Sequence, residues 1–171
     1  MQNLLDDELR GTLCGRVCLV GLGNPDLSDD GFGLRLAAAL RAIGYPHVVE
    51  AGTTPERWVG RLADAHYDTV LFLDAVELGA EPGAVALFPA EALSARFPQI
   101  STHKLSLSLL ASLMEASGHT RVWLLGAQPA SLRPGGDLTP PLQRTLEALT
   151  ELLDNALAGQ AIRPAGAGER P

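Results

Sequence analysis

The sequence predicts a single three-layer α/β domain, built on a mostly parallel, twisted sheet of about five strands with helices on both faces. Three apolar runs, residues 17–22, 69–73 and 122–125, are too short for helices and contain β-branched residues, as expected of strands buried on both faces. Amphipathic helical patterns lie between these runs. This alternation is typical of a parallel sheet.

The first strand leads through a short polar turn into a helix. One apolar stripe at helical spacing predicts the helix and consists of Phe32, Leu36, Leu40 and Ile43. Side-chain oxygens that can cap the N-terminus of this helix belong to Ser28, Asp29 and Asp30. The negative charges of the two aspartates are also favoured there by the helix dipole. Two adjacent carboxylates therefore lie at a strand-to-helix turn.

The following elements continue the alternation. Residues 47–50 form the predicted second strand, and Thr54 with Pro55 predicts the start of a helix. The third strand, residues 69–73, ends directly in Asp74. Residues 84–88 are a predicted fourth strand at the sheet edge, after a short connection that allows an antiparallel neighbour.

Two helices complete the prediction. Ser101 and Thr102 cap a strongly apolar helix that carries His103 in its first turn and ends at Gly118. Its predicted apolar face consists of Leu105, Leu109, Leu110, Leu113 and Met114. Thr139 caps the last helix, whose leucines keep helical spacing at positions 142, 146, 149, 153 and 157.

The chain of 171 residues is long enough for one domain with a full-sized core. We expect an N-terminal extension at residues 1–15, the main domain at 16–158, and a disordered tail at 159–171, which is rich in Ala, Gly, Pro and Arg. No internal repeat is visible.

The charge balance argues against nucleic acid as a partner. There are 13 basic and 20 acidic residues, a net charge of −7, and no run of Lys or Arg that could bind a phosphate backbone. No apolar run approaches the roughly 18 residues that span a bilayer. Cys14 and Cys18 are four positions apart, which fits neither a disulfide framework nor a C-x-x-C pair. We expect a soluble cytoplasmic protein that is a monomer and binds no membrane.

A dinucleotide site at the first turn is excluded by its residues. Asp26 occupies the position of the third glycine in G-x-G-x-x-G, and Asp29 and Asp30 would repel a pyrophosphate. A cation is the more suitable ligand for this turn.

Three residues can converge at the carboxyl edge of the sheet, where ligands bind in such folds. They are Asp30 after the first strand, Asp74 after the third, and His103 at the start of a helix. Two carboxylates and an imidazole suit a divalent transition ion and leave positions open for substrate or water. Asp29 is left as a cap or as a partner of the ligands.

Simpler interpretations of each residue stay open. Asp30 can be a plain helix cap, Asp74 can accept backbone hydrogen bonds at the strand end, and His103 can be a surface residue. Asp30 and Asp74 can instead share a proton as an acid/base dyad, which leaves the histidine without a role. No G-x-S-x-G or H-E-x-x-H motif is present.

Several short motifs occur in a specific order along residues 16–157. They are Gly21-Leu22-Gly23-Asn24, Asp29-Asp30-Gly31-Phe32-Gly33, Gly52-Thr53, Leu73-Asp74-Ala75, Glu81-Pro82-Gly83, Ser101-Thr102-His103, Leu125-Gly126-Ala127-Gln128-Pro129 and Leu138-Thr139-Pro140. Each motif is weak alone, but the ordered set resembles the hydrogenase maturation endopeptidase family.

The resemblance implies a cytoplasmic, aspartic-type endopeptidase that removes the C-terminal extension of a nickel-iron hydrogenase large-subunit precursor after nickel insertion. Cleavage would follow the basic residue after the last metal-binding cysteine pair. The family's metal ligands fall here on Asp30, Asp74 and His103, and the first of them is either Glu or Asp in the family. Nickel would come with the precursor, and zinc or cadmium can occupy the site in the isolated protein.

Two other functions remain possible from the sequence. Gly21-Leu22-Gly23-Asn24-Pro25 also resembles the start of peptidyl-tRNA hydrolases, although the net charge of −7 does not suit a tRNA substrate. A chaperone or scaffold that senses nickel without cutting is the second alternative.

Overall fold

The computed structural model describes residues 2–90, 92, 102–116 and 118–158, and of residues 2, 3, 102–106 and 108 it describes only the backbone. The helices are α1 (Gln2–Thr12), α2 (Phe32–Ala42), α3 (Val59–Asp64), α4 (Thr102–Glu115) and α5 (Pro140–Ala158). The strands are β1 (Val17–Leu22), β2 (Val48–Gly52), β3 (Thr69–Ala75), β4 (Val85–Pro89) and β5 (Arg121–Ala127). Short 3-10 turns at Ser28–Gly31 and Pro55–Trp58 precede α2 and α3.

The five strands form one sheet in the order β2-β1-β3-β5-β4. Strands β2, β1, β3 and β5 are parallel, and β4 pairs with β5 in the antiparallel direction. The predicted fold class is therefore confirmed. The fourth strand lies at the edge as predicted. Its antiparallel neighbour is β5, however, and not β3, to which the short connection joins it.

Two apolar cores lie on opposite faces of the sheet. One contains buried side chains of α1, α2 and α5, including Leu9, Phe32, Leu36 and Leu153. The other contains buried side chains of α3 and α4, including Leu62, Leu107, Leu110 and Met114. Successive residues of β1 alternate between the two cores, as the pleat of a strand requires. The sheet is thus the middle of three layers.

The buried face of α4 differs from the predicted one. Leu110 and Met114 are buried as predicted, but their buried neighbours are Leu107 and Ala111, and the side chains of Leu109 and Leu113 are 61% and 55% exposed. Leucines occur all round this helix, so two apolar stripes were available. The stripe that faces the sheet follows i, i+3, i+4 and i+7 from position 107.

The domain boundaries at residues 15/16 and 158/159 stay a prediction. Within residues 1–15 the sequence indicated no secondary structure, whereas the structure has α1 there, with Leu9 and Leu13 fully buried against the first core. The predicted tail at 159–171 and the predicted cap Ser101 lie outside the described residues. No helix in the described part of the chain is long and apolar enough to span a membrane.

Candidate active site at the carboxyl edge of the sheet

The loop after β1 turns sharply at Gly23. Its φ is +108°, and a Cβ at this position would lie 1.8 Å from the main-chain oxygen of Asp30. Only glycine combines this backbone conformation with so close an approach. The contact folds the loop back on itself and places Asp30 directly beside the end of β1.

The carboxylate of Asp30 is half-buried and accepts a hydrogen bond from the main-chain N–H of Asn24 at 2.8 Å. It does not cap α2, because the residue at the N-cap is Gly31 and no side chain caps the helix. The predicted helix start at Thr54 and Pro55 is confirmed, because Thr54 is the N-cap residue of the 3-10 turn that Pro55 begins, although no side-chain hydrogen bond caps this turn. Among the described residues, none donates a hydrogen bond to the second oxygen of Asp30, so this oxygen is the atom available for a ligand.

Asp29 is fully buried, and its side chain makes no capping hydrogen bond to α2, the helix that it was expected to cap. It accepts hydrogen bonds from the main-chain N–H groups of Ala130, Ser131 and Thr139 and from the hydroxyl of Thr139, at 2.7–3.0 Å. Of the roles considered from the sequence, that of a cap is therefore wrong.

Asp74 lies one residue before the end of β3, in register with Gly126 of β5. Its side chain is half-buried. The carboxylate therefore lies at the carboxyl edge of the sheet, as predicted from the end of the apolar run.

Helix α2 brings the loops of the two acids together through Gly33. A Cβ at Gly33 would lie 2.0 Å from the main-chain oxygen of Leu73 and 2.7 Å from that of Leu22. The first turn of α2 therefore rests on the ends of both β1 and β3. As a result the turn that carries Asp30 contacts β3, the strand that carries Asp74.

His103 lies in the first turn of α4, on the other face of the sheet from α2. Helix α4 contacts α3, β5 and the turn Pro55–Trp58. The side chain of His103 lies outside the described atoms. Among the side chains that are described, no three His, Cys, Asp or Glu residues are close enough to hold an ion. The convergence of the three predicted ligands stays a prediction.

Two polar residues near this edge were not identified from the sequence. Gln128 is 5% exposed, and its side chain hydrogen-bonds the loop after β3, to Glu77 and Leu78. Arg35 lies beside Gly31, and among the described residues its buried Nε has no hydrogen-bond partner. The only sequence signal for Gln128 was its place in the last motif before Thr139.

The cysteine in the sheet is not suited to nucleophilic chemistry. Burial raises the pKa of Cys18 to about 11, an effect that the phenol of Tyr67 and the guanidinium of Arg16 only partly offset. The thiol is therefore protonated at neutral pH, and the thiolate is the nucleophilic form. The candidate chemistry is left to the two acids and the histidine.

The fold and these loops define a single-domain α/β protein with acidic side chains on two adjacent loops at the carboxyl edge of its sheet. This is where proteins of this fold class bind their ligands. Comparison with known proteins identifies the family. A model of the hydrogenase maturation protease family matches residues 34–156. The chain therefore belongs to the hydrogenase maturation proteases and is an endopeptidase.

Individual relatives agree with this assignment. The hydrogenase 2 maturation protease of Escherichia coli strain K12 is 32% identical over 160 residues, which cover 88% of this chain and 93% of the relative. The crystal structure of the NiFe hydrogenase maturation protease HycI from Thermococcus kodakarensis KOD1 superposes with a TM-score of 0.78 at 29% identity, covering 91% of this chain and 99% of that one. The E. coli endopeptidase HybD gives 0.70 at 28% identity, covering 86% and 93%.

Family membership decides between the functions that the sequence left open. It supports the resemblance to hydrogenase maturation endopeptidases, and it favours a protease over both a peptidyl-tRNA hydrolase and a chaperone that does not cut.

Proposed function

We propose that this endopeptidase removes the C-terminal extension from the large-subunit precursor of a nickel-iron hydrogenase, and that it does so only after nickel has been inserted. The substrate class is carried over from relatives named as hydrogenase and NiFe hydrogenase maturation proteases. The cut follows the basic residue after the last metal-binding cysteine pair of the precursor. The enzyme acts as a monomer in the cytoplasm.

The observation that carries the proposal is the contact of Gly33 with the ends of β1 and β3. Through this contact the loop of Asp30 lies against the strand of Asp74, so that two carboxylates can face one ligand at the edge of the sheet. Asp30 has one oxygen engaged by the Asn24 N–H, which leaves the other for that ligand.

Asp30, Asp74 and His103 have the chemistry that a divalent nickel ion accepts. Carboxylate oxygens and imidazole nitrogens both bind such ions, and two carboxylates balance the two positive charges. The ion belongs to the substrate, because thiolates of the precursor hold it before the enzyme binds. Zinc or cadmium can take the same three side chains in the isolated enzyme.

Nickel dependence follows from this shared ligation. A precursor without nickel offers the three side chains no ion to bind. The enzyme therefore binds it more weakly than the nickel-loaded precursor. A bound divalent ion can also polarise a carbonyl group or lower the pKa of water. The side chains of this chain orient the precursor so that its scissile bond lies at the carboxyl edge of the sheet.

The test uses the purified enzyme with nickel-loaded and nickel-free precursor, and the C-terminus of the product is read by mass spectrometry. We expect truncation of the loaded precursor alone. Asp30→Ala, Asp74→Ala and His103→Ala should each abolish processing while the protein stays folded. Asp26→Ala is the matched control, because it removes an exposed carboxylate from the same loop as Asp30.

Each outcome has a distinct meaning. Equal cutting of both precursors would refute nickel dependence. A variant that keeps full processing would remove its residue from the ligand set. If processing requires the two aspartates and survives His103→Ala without metal, the acid/base dyad is the correct mechanism instead.

A further inference from the structure

The segment after β5, residues 128–139, hydrogen-bonds both of the loops that carry the predicted acidic ligands. We call it the support segment. It contains no predicted ligand of its own. Its contacts with the two loops are made mainly through two buried side chains, Asp29 from the first loop and Gln128 from the segment itself.

Asp29 makes the first connection. Its Oδ2 accepts hydrogen bonds from the N–H groups of Ala130 and Ser131 at 2.8 and 3.0 Å and from the hydroxyl of Thr139 at 2.9 Å. Its Oδ1 accepts one from the N–H of Thr139 at 2.7 Å. All four donors belong to the support segment, and the carboxylate is fully buried. Through these four hydrogen bonds, Asp29 holds the loop after β1 against the support segment.

Main-chain contacts reinforce the connection next to Asp29. The N–H of Ser28 donates to the oxygen of Gly135 at 2.5 Å, and that of Gly135 donates to Asp26 at 2.9 Å. The Ser28 hydroxyl donates to the oxygen of Asp137 at 3.0 Å. Ser28 has a φ of +36°, which is uncommon outside glycine. These hydrogen bonds therefore stabilise the loop at a residue whose backbone conformation is uncommon outside glycine.

Gln128 makes the second connection. Its Oε1 accepts hydrogen bonds from the N–H groups of Leu78 and Ala80 at 2.6 and 3.3 Å, and its Nε2 donates to Glu77 at 2.9 Å. These residues follow Asp74 by three to six positions. The support segment thus also fixes the course of the chain directly after the second acid.

We propose that Asp29 and Gln128 are positioning residues, which hold the loops of Asp30 and Asp74 at a fixed separation by binding both to the support segment. The proposal rests on the proposed function, in which these two acids bind one ion. Ligand geometry at such a site must be held to within about 0.5 Å. Asp30 is the next residue after Asp29, so any rotation of the Asp29 backbone displaces the Asp30 carboxylate.

The main test is Asp29→Asn, which keeps the size of the side chain but replaces one acceptor oxygen with an NH₂ donor. Hydrogen-bond donors of the support segment then face the NH₂ group of the new asparagine, and the loop after β1 is no longer held to the segment at this point. We expect kcat for the nickel-loaded precursor to fall roughly tenfold to a hundredfold, because a displacement of about 1 Å has effects of that size. KM should change less. Asp26→Asn, in the same loop and exposed, is the matched control.

A second readout, independent of activity, is amide hydrogen exchange measured by NMR. The Asn24 N–H donates to Asp30 and reports the position of that carboxylate. The Leu19 N–H donates to His47 within the sheet and reports global opening. In Asp29→Asn we expect faster exchange at Asn24 with no change at Leu19. In Gln128→Met the Leu78 N–H loses its acceptor and should exchange faster, and kcat should fall as in Asp29→Asn while exchange at Leu19 stays unchanged.

Two results would overturn the proposal. One is a folded Asp29→Asn variant with wild-type kcat and wild-type exchange at Asn24. The other is a uniform rise in exchange at Asn24 and Leu19 with a kcat that simply follows the folded fraction, because that pattern shows a purely structural role. If Asp29→Asn does not fold, Thr139→Val decides, since it removes only the hydroxyl donor. Thr139→Val should then lower kcat several-fold, and Thr139→Ser should restore it.

The proposed function and this inference fail separately. A wild-type enzyme that leaves the nickel-loaded precursor uncut refutes the function. Selective release of the Asn24 amide in Asp29→Asn, measured by hydrogen exchange, would in that case still support the positioning of Asp30 by Asp29.

Discussion

Gly33 in α2 approaches Leu73 at the end of β3 so closely that a Cβ on Gly33 would lie 2.0 Å from the Leu73 carbonyl oxygen. The helix cannot move away without also moving the turn that carries Asp30. The distance between the two acidic loops therefore depends on a residue that has no side chain, in addition to the hydrogen bonds of Asp29 and Gln128.

Gly33→Ala should destabilise the protein and reduce processing. The new methyl group overlaps main-chain atoms, which cannot rotate out of the way, and overpacking of this kind costs about 1–3 kcal/mol. The shift of α2 also separates Asp30 from Asp74. Urea unfolding and the processing rate measure the two effects.

The matched control is Gly60→Ala in α3, where a Cβ would meet no atom within 4 Å. Alanine there should leave processing unchanged and can raise the free energy of unfolding by about 1 kcal/mol, through helix propensity alone. Equal stability of the two variants would contradict the packing argument.

Comparing Gly23→Ala with Gly44→Ala separates the effect of the close contact between Gly23 and the Asp30 main-chain oxygen from the effect of backbone strain alone. Gly23 and Gly44 have nearly the same φ, +108° and +103°, but a Cβ at Gly23 would lie 1.8 Å from the Asp30 oxygen, whereas at Gly44 it would meet nothing within 4 Å. Both alanine variants carry the strain of a positive φ, about 1–2 kcal/mol.

Only Gly23→Ala should lower the processing rate, since only there does the new methyl group displace Asp30. The rate at a temperature where both variants are folded provides the comparison. A loss of processing in Gly44→Ala equal to that in Gly23→Ala would show that the loop contact is irrelevant.

The strands and the acid at the end of β3 were predictable because their signals are local. The apolar run of residues 17–22 coincides with β1 (Val17–Leu22), and Asp74 follows the buried part of β3 directly. Burial on both faces leaves a continuous apolar run in the sequence, so the fold class could be predicted without knowledge of any contact between distant segments.

The role of Asp29 could not be predicted, because its donors lie 101 to 110 positions further along the chain. A capping residue and a residue that hydrogen-bonds a distant loop look the same in sequence. The prediction that Leu109 is a buried residue of α4 was wrong for a related reason. Apolar residues surround that helix, and only the packing against the sheet selects a face.

The two cysteines should differ in reactivity. Cys14 is half-buried near the surface, while Cys18 is fully buried and its pKa is raised to about 11 from the usual 9.0. With a disulfide reagent at neutral pH we expect Cys14 to react in the native protein and Cys18 to react only after denaturation, because the thiolate is the attacking form.

Cys14→Ser checks this assignment. Native labelling should almost disappear and processing should be nearly unchanged. Rapid native labelling of the variant would mean that Cys18 is accessible as a thiolate, and a large loss of processing would give Cys14 a role that the structure does not indicate.

His47 should make the free energy of unfolding depend on pH. Burial and, to a smaller extent, the charge of Arg16 lower the pKa of His47 below its ordinary 6.5. Its ring packs edge-on against Tyr45 and Tyr67, at centroid distances of 6.2 and 5.5 Å. The folded state therefore binds the proton less readily than the unfolded state does.

The direction in which the free energy of unfolding changes with pH follows from this difference in proton affinity. Above the unfolded pKa both states carry a neutral His47 and its contribution is fully present, whereas below it the unfolded state gains a proton first and the free energy of unfolding falls. Urea unfolding between about pH 8 and pH 5 should show this loss on acidification, the range in which histidine titrates. His47→Gln removes the titrating group, so its curve should be flatter than that of the wild type over the same range. Parallel curves would show that protonation of His47 is not linked to folding.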